Sequence, residues 1–253
     1  MSSPRKLRIL MLHGYAMNAF SFSKRLKALQ KECKDVAEFV FANGPIQVSP
    51  LPTAENPEPG PPNPNDPIEK QARSWWRSTG DVYEHWDESL AYLQQFCREH
   101  GPFDGVLGFS QGASVAGVVS ATLNYPDKAH GFSDPIQDRP FLFSICVSGF
   151  RPADKRFDPI FEKLSPTPTL VVLGMNDQIV SPTRTQEYIN CCQQIRVLRH
   201  PGEHYLPSPA PWRRFFYDFF VSFLNNTGEW KTVPPPDVEG ISEAVNEAAM
   251  NKL

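Results

Sequence analysis

A serine lies between two glycines where an apolar segment gives way to a run of small residues. Residues 106–115 read VLGFSQGASV, so Ser110 stands two positions after Gly108 and two before Gly112. The apolar segment is typical of a buried strand, and the run after it is typical of a packed helix. A Gly-x-Ser-x-Gly sequence at such a turn exposes the serine hydroxyl, and its glycines relieve the crowding of a strained backbone. Ser110 is therefore the candidate nucleophile, although serine is also a common helix N-cap.

A serine hydroxyl is a weak nucleophile without a histidine base and a carboxylate that orients the histidine. In hydrolases built on a strand-turn-helix nucleophile, the acid and the histidine follow later strands, in that order. Asp177 follows the apolar segment 169–175, and His204 lies in the glycine- and proline-rich loop after residues 195–200. The sequence therefore predicts Ser110, Asp177 and His204 as a catalytic triad.

Other residues compete for these two roles. Asp154 and Asp158 follow the apolar segment 141–150 and would supply the acid if it came one strand earlier. His200 stands at the end of a predicted strand, where we expect it to face its own hydrogen-bond partner. The remaining histidines are interpreted as structural or solvated: His13, His85, His100 and His130.

An attacked carbonyl develops negative charge on its oxygen, which needs hydrogen-bond donors. The backbone N–H of Gln111, directly after the nucleophile, is one expected donor. The first apolar segment ends in LHGY, and Gly14 would let the backbone N–H of Tyr15 approach as the second.

Four aromatic residues are candidates for binding the substrate. Phe150 and the segment 151–164 follow a predicted strand at the place where related folds insert a lid, and Phe157 and Phe161 would supply an apolar wall. This insert is short, which predicts an open site for small to medium acyl groups. Trp75 would also line the acyl pocket, with core packing as the alternative.

Strand-like and helix-like segments alternate along the chain. The apolar strands are unbroken rather than alternating, which indicates burial on both faces, and the intervening helices indicate parallel pairing. We therefore predict an α/β fold with an open, mostly parallel sheet covered by helices on both faces. The predicted strands are 8–14, 36–42, 103–109, 141–150, 169–175 and 195–200, and the predicted helices are 19–33, 84–99, 111–123, 182–192 and 211–224.

Two segments depart from this alternation. Residues 43–68 contain nine prolines, a density that neither a core strand nor a helix tolerates, so a loop inserted in a single domain 1–225 is predicted. The polar segment 226–253 is expected to be a tail or a short helix with Ile241, Ala244, Val245 and Ala248 on one face.

The composition narrows the functional classes. The 253 residues carry a net charge of −3, which gives no general attraction to nucleic acid or to anionic membranes, and no apolar run reaches the length of a membrane span. The five cysteines form no C-x-x-C pair, which favours reduced thiols and a cytoplasmic protein. No metal-ligand spacing appears, and the predicted chemistry needs no cofactor.

Taken together, these motifs resemble the FSH family of serine hydrolases within the α/β-hydrolase superfamily. The resemblance implies a small, cytosolic, single-domain serine esterase or thioesterase, acting on short- to medium-chain acyl esters. Some family members release polyketide chains from the carrier domain of a biosynthetic synthase. The leading alternative to an esterase is therefore a thioesterase that releases acyl or polyketide chains from such a carrier domain or from coenzyme A. The catalytic positions of the family fall on Ser110, Asp177 and His204. The segments that carry the resemblance are LMLHGY (10–15), ARSWW (72–76), FDGVLGFSQGA (103–113), CVSGF (146–150), LGMNDQIV (173–180) and GEHYLP (202–207).

A third interpretation is a binding protein on an inactive hydrolase scaffold. Two departures from the family pattern bear on substrate preference and not on the triad. FANGP (41–45) lacks an acidic residue that the family usually has at this place, and the proline-rich loop after it is long.

Overall fold

Strands and helices alternate along the part of the chain that the computed structural model describes, residues 5–128 and 135–245. Its strands are β1 (Leu7–Leu12), β2 (Ala37–Ala42), β3 (Ile46–Gln47), β4 (Arg73–Ser74), β5 (Arg77–Thr79), β6 (Val82–Glu84), β7 (Gly105–Phe109), β8 (Phe143–Val147), β9 (Thr169–Gly174), β10 (Ile195–His200) and β11 (Ser242–Val245). Its helices are α1 (Ala19–Arg25), α2 (Lys27–Glu32), α3 (Trp86–His100), α4 (Gln111–Asn124), α5 (Asp158–Phe161), α6 (Pro182–Ile189) and α7 (Ala210–Leu224). None of these helices is long and apolar enough to cross a bilayer.

The main sheet has seven strands in the order β11-β10-β9-β8-β7-β1-β2. All neighbours pair in parallel except β11, which runs antiparallel to β10. The carboxyl ends of β1, β7, β9 and β10 therefore lie at one edge of the sheet. The predicted α/β architecture is confirmed by this topology.

Successive residues of the central strands enter two different cores. In β1, Leu10 and Leu12 pack with α3 and α4 on one face of the sheet, and Ile9 and Met11 pack with α1 and α7 on the other. Each of these four side chains is fully buried. Both faces of the sheet are covered, which is why the strand sequences are apolar without alternation.

The segment 19–33 forms two helices rather than one. Asn18 caps α1 by accepting a hydrogen bond from Ser21 N–H, and Leu26 separates α1 from α2 with φ −95° and ψ 9°. This break keeps Phe22, Leu26 and Leu29 all buried against the sheet.

The proline-rich segment leaves β2 and contains only the two-residue strand β3, which pairs antiparallel with β4. Its stem is tied to the fold, because the Asn18 side-chain amide donates to the Gln71 carbonyl oxygen at 2.9 Å. Residues 51–59 are almost entirely exposed. The predicted loop is thus present, with a short antiparallel strand pair at its base.

Neither the tail nor the short helix expected for residues 226–253 describes Ser242–Val245, which form strand β11 beside β10. An uncovered β10 would expose unpaired backbone groups at the sheet edge, and β11 satisfies them. Ala248, the last residue of the expected helix face, lies outside the described residues. Trp230, in the 3₁₀ turn Glu229–Lys231, is buried and packs on Phe219 of α7.

The docked segment surrounds a buried cation, Arg196, whose side chain is 1% exposed. Its Nε donates to Glu243 Oε1 at 2.6 Å, and its two terminal nitrogens donate to the carbonyl oxygens of Trp230 and Val233 at 2.9 and 2.6 Å. The guanidinium also lies over the Phe215 ring. Glu243 supplies the only carboxylate among these described partners.

We expect Glu243→Ala to lower the free energy of unfolding by about 1–3 kcal/mol, because the buried guanidinium loses its counter-charge. Urea denaturation measures the change. Glu239→Ala, at an exposed position three residues from β11, should stay within about 0.5 kcal/mol of the parent. Equal stability of the two variants would contradict the role given to Glu243.

His13, directly after β1, holds the start of the proline-rich loop. Its Nδ1 lies 2.8 Å from the Gly14 carbonyl oxygen, and its Nε2 accepts a hydrogen bond from Gly44 N–H at 2.8 Å. A ring that donates at Nδ1 and accepts at Nε2 is neutral. Burial lowers the pKa of His13 to about 4, against the opposing effect of the Gly14 hydrogen bond.

Because this folded-state pKa lies below the unfolded value of 6.5, the unfolded chain binds the proton first as the pH falls. The contribution of neutral His13 to the free energy of unfolding is therefore complete above about pH 6.5, and it declines as the pH falls toward 4. Between pH 7 and pH 5 we expect the parent to lose about 2 kcal/mol more than His13→Gln in urea denaturation. Parallel pH profiles for the two proteins would overturn this assignment.

Candidate active site

Ser110 lies at a tight turn between β7 and α4. Its backbone has φ 54° and ψ −118°, a positive φ that residues with a side chain rarely adopt. A Cβ on Gly108 would collide with the Gly112 carbonyl oxygen, and one on Gly112 would collide with the Leu12 carbonyl oxygen. Both flanking glycines are therefore required for α4 to begin so close to β7 and to the end of β1.

The loops after β9 and β10 bring Asp177 and His204 together. The Nδ1 of His204 lies 2.7 Å from Asp177 Oδ2. The other carboxylate oxygen of Asp177 accepts hydrogen bonds from the N–H groups of Ile179 and Val180 at 2.9 and 2.8 Å. The aspartate is thus fixed by its own loop and directs its second oxygen at the imidazole.

The two loops also contact each other directly. Asn176 donates from its side chain to the Pro201 carbonyl oxygen at 2.6 Å and from its backbone to the Gly202 carbonyl oxygen at 3.0 Å. A Cβ on Gly174 would collide with the Glu203 carbonyl oxygen. The spacing between acid and histidine is therefore set by backbone packing as well as by their own hydrogen bond.

The imidazole of His204 lies beside the serine turn. Its ring centroid is 4.9 Å from that of Phe109, the residue before Ser110. Phe109 in turn stacks on Phe22 of α1 at 6.5 Å. All three predicted triad residues accordingly lie at the carboxyl edge of the parallel sheet, in the turn after β7 and the loops after β9 and β10.

Asp177 is held in its charged form. Burial alone would raise the pKa of its carboxyl group, but the hydrogen bonds from two backbone N–H groups and from His204 outweigh that effect. The pKa therefore lies below its ordinary value. An ionised carboxylate at this place favours the His204 tautomer with its proton on Nδ1, which leaves Nε2 able to accept a proton.

The competing acids have other partners. Asp154 accepts hydrogen bonds from the backbone of Tyr83 and pairs with Arg156 at 3.0 Å, and Asp158 pairs with Arg151 at 2.5 Å. Neither contacts His204, so Asp177 is the carboxylate that the structure brings to the histidine. Within residues 5–128 and 135–245, no three histidine, cysteine or acidic side chains converge as metal ligands.

The other histidines lie away from this arrangement or are already engaged. The Nδ1 of His200 accepts a hydrogen bond from Gly202 N–H at 3.2 Å, and His85 lies 2.7 Å from Glu88. His100 packs on the Phe96 ring. His130 lies outside the described residues.

The predicted oxyanion donors flank Ser110. Gln111 is the first residue of α4, where backbone N–H groups have no partner within the helix. On the other side, a Cβ on Gly14 would lie 3.3 Å from the Cβ of Ser110, so Tyr15 follows a residue in close contact with the serine. The positive end of the α4 dipole faces the same place.

A side-chain network joins these two donor positions. The Gln111 side chain accepts from Trp75 N–H at 2.9 Å and donates to the Trp76 carbonyl oxygen at 3.1 Å. The Trp75 indole donates to the His13 carbonyl oxygen at 2.9 Å. The start of α4 and the end of β1 are thereby linked through one short segment, a role of Gln111 that the sequence motif did not reveal.

Of the two interpretations of Trp75, core packing is the one that the structure shows and the acyl-pocket wall is not, because the side chain is fully buried and makes that network. Phe157 is 3% exposed and packs on Trp86 at 5.0 Å, so it belongs to the core and not to a pocket wall. Phe161 is 7% exposed and packs against Tyr188. Phe150 is 8% exposed, with the guanidinium of Arg184 lying 4.1 Å from its ring centre.

Several known proteins resemble this chain, some in sequence and others in fold. An esterase named OVCA2 from Xenopus tropicalis is 32% identical over 231 residues, covering 87% of this chain and 94% of the relative. A Schizosaccharomyces pombe protein named dihydrofolate reductase is 32% identical over 236 residues, but the chain spans only 48% of that relative's length.

Among solved structures, Zea mays acyl-protein thioesterase 2 superposes with a TM-score of 0.58 at 17% identity, covering 87% of this chain and 94% of that chain. A Bacillus cereus carboxylesterase superposes with a TM-score of 0.52 at 13% identity, covering 88% and 92%. At such identities the likeness shows the α/β-hydrolase fold alone. The sequence profile described as serine hydrolase (FSH1) matches residues 1–216, and the chain therefore belongs to the FSH1 family of serine hydrolases.

Proposed function

We propose that this protein hydrolyses carboxylic esters of small to medium acyl chains through an acyl-enzyme on Ser110. The observation that carries the proposal is the 2.7 Å contact between His204 Nδ1 and Asp177 Oδ2 beside the strained serine turn. Family membership and the relatives named esterases support an ester as the substrate.

In the first half of the reaction, Ser110 Oγ attacks the carbonyl carbon and its proton passes to His204 Nε2. The resulting imidazolium is stabilised by the ionised Asp177, which does not itself take up a proton. The carbonyl oxygen becomes an oxyanion that accepts hydrogen bonds from the backbone N–H groups of Tyr15 and Gln111. The carbon–oxygen bond to the alcohol then breaks, and the leaving oxygen takes the proton from Nε2.

In the second half, a water molecule attacks the acyl carbon and gives a proton to the same nitrogen. The bond to Ser110 breaks, the serine oxygen regains the proton, and the carboxylic acid leaves. The same atoms act on an acyl thioester, with a thiol as the leaving group. Release of chains from the carrier domain of a synthase is therefore the alternative, and it requires activity on acyl thioesters.

The cysteines favour a reducing compartment such as the cytoplasm. Burial raises the pKa of Cys33 and Cys97 to about 12 and that of Cys146 to about 11. Such thiols are protonated and shielded at neutral pH, so they do not react readily. Thiols of this kind stay reduced in any compartment, so the cytoplasmic location rests on the cysteine pattern of the sequence alone.

We expect Ser110→Ala to lower turnover of 4-nitrophenyl butyrate on the order of 10⁴- to 10⁶-fold, because the nucleophile is lost. Steady-state kinetics measure turnover, and labelling by a fluorophosphonate reports the nucleophile directly. Ser120→Ala, also on α4 and also buried, should keep activity within about twofold. Undiminished activity or labelling in Ser110→Ala would reject the assignment.

A graded series of acyl chains, as oxygen esters and as thioesters, then separates the two substrate classes.

We expect Gln111→Met to lower kcat about 10- to 100-fold with little change in KM, because the link between the two oxyanion donors is lost. Gln194→Met is the matched control, since that amide bonds a backbone carbonyl oxygen at the surface. A rise in KM at constant kcat would show that Gln111 binds substrate and does not position the donors.

A further inference from the structure

A cavity of about 380 Å³ opens between α1 and the loop after His204. Its walls are mainly apolar and come from Met17, Phe22, Leu26, Phe109, Tyr205 and Leu206. The volume lies at the lower end of the range for small-molecule sites. None of the four residues predicted to bind the substrate lines this cavity.

The cavity is lined by residues that adjoin Ser110 and His204 in the chain. Phe109 precedes Ser110, and its ring packs on that of His204 at 4.9 Å. Tyr205 and Leu206 directly follow His204 in the chain. The cavity also lies on the α1 side of the sheet, whereas Phe150, Phe157 and Phe161 belong to the core on the opposite side.

Its place beside His204 decides which part of the substrate fits there. The nitrogen that removes the serine proton must then protonate the leaving oxygen, so it needs to lie within hydrogen-bond reach of that atom. The leaving group therefore occupies the imidazole side of the reacting carbon. A cavity walled by the residues around His204 is in position to receive that group.

Arg25, at the end of α1, is the one charged residue among the described residues that line the cavity. It is exposed, and within residues 5–128 and 135–245 no carboxylate pairs with it. Arg213, which does not line the cavity, donates to the Ser208 carbonyl oxygen and pairs with Glu32 at 3.9 Å. A guanidinium at the rim of an apolar cavity suits a carboxylate or another planar acid.

We propose that this cavity binds the leaving group of the substrate, and that the preferred leaving group is an apolar alcohol or thiol whose far end carries an acidic group paired with Arg25. The inference rests on the proposed roles of Ser110 and His204. It makes Arg25 a specificity-determining residue of the leaving group, independent of the acyl chain.

The test compares two butyrate esters that differ only in the leaving group, 4-carboxyphenyl butyrate and its uncharged analogue 4-carbamoylphenyl butyrate. The expected result is that Arg25→Gln lowers kcat/KM for the carboxylate ester about tenfold, as for a charge-assisted pair at a partly solvated rim, and leaves the carbamoyl ester within about twofold. Lys24→Gln, the adjacent exposed cation that does not line the cavity, is the matched control. Arg25→Lys should recover part of the loss, and added salt should reduce the parent's preference.

Two results would overturn the proposal. One is that Arg25→Gln changes kcat/KM equally for both esters, which includes no change for either. The other is a preference for an acid on the acyl side, seen with 4-nitrophenyl hydrogen succinate against 4-nitrophenyl butyrate and lost in Arg25→Gln.

A binding measurement separates this inference from the proposed reaction. Calorimetric titration with 4-hydroxybenzoate needs no turnover, and we expect its affinity to fall about tenfold in Arg25→Gln. If neither ester is hydrolysed while this difference in affinity persists, the proposed reaction fails and the binding site stands. Equal affinity of both proteins would reject the site even in an active enzyme.

Discussion

The close approach of three backbone segments at the serine turn is the constraint on which the site depends. The start of α4 lies against the end of β7 and the end of β1, at distances that a Cβ on Gly108 or Gly112 would not allow. Because of this approach, Ser110 lies close to the backbone at the start of α4 and at the end of β1. A side chain at either glycine would force these segments apart and separate the nucleophile from its surroundings.

The segment around Trp75 holds the start of α4 and the end of β1 together. It is bonded to the Gln111 side chain at the start of α4 and to the His13 backbone at the end of β1. His13 in turn receives the N–H of Gly44, where the proline-rich loop begins. A neutral imidazole is essential there, since protonation would remove the acceptor and leave a charge in the core. The same buried network thus couples the loop, the sheet edge and the nucleophile turn.

The two sides of the sheet contribute differently to the site. On the side of α3 and α4, the aromatic rings near β8 are packed into a continuous core with Trp76, Tyr83 and Trp86. On the side of α1, the packing around Phe109 leaves a cavity next to His204. In the proposal above, the space for the leaving group comes from how the histidine loop lies over α1, and not from the insert after β8.

The sequence alone predicted six of the seven strands of the main sheet and a short set of candidates for the catalytic residues. Unbroken apolar strands can only be buried on both faces, and residues after the carboxyl ends of parallel strands must meet at one edge. The sequence therefore indicated which residues lie at that edge, because each of them lies at or just after the end of a predicted strand: Gly108, Gly112, Asp177 and His204.

Only the tertiary structure decided which of several acids reaches His204, which aromatic rings border open space, and that Ser242–Val245 complete the sheet. These outcomes depend on contacts between residues far apart in the chain, such as Arg196 with Glu243 or Phe22 with Phe109. Local pattern carries no information about such partners, because a ring that fills a core and a ring that walls a cavity have the same composition and the same spacing.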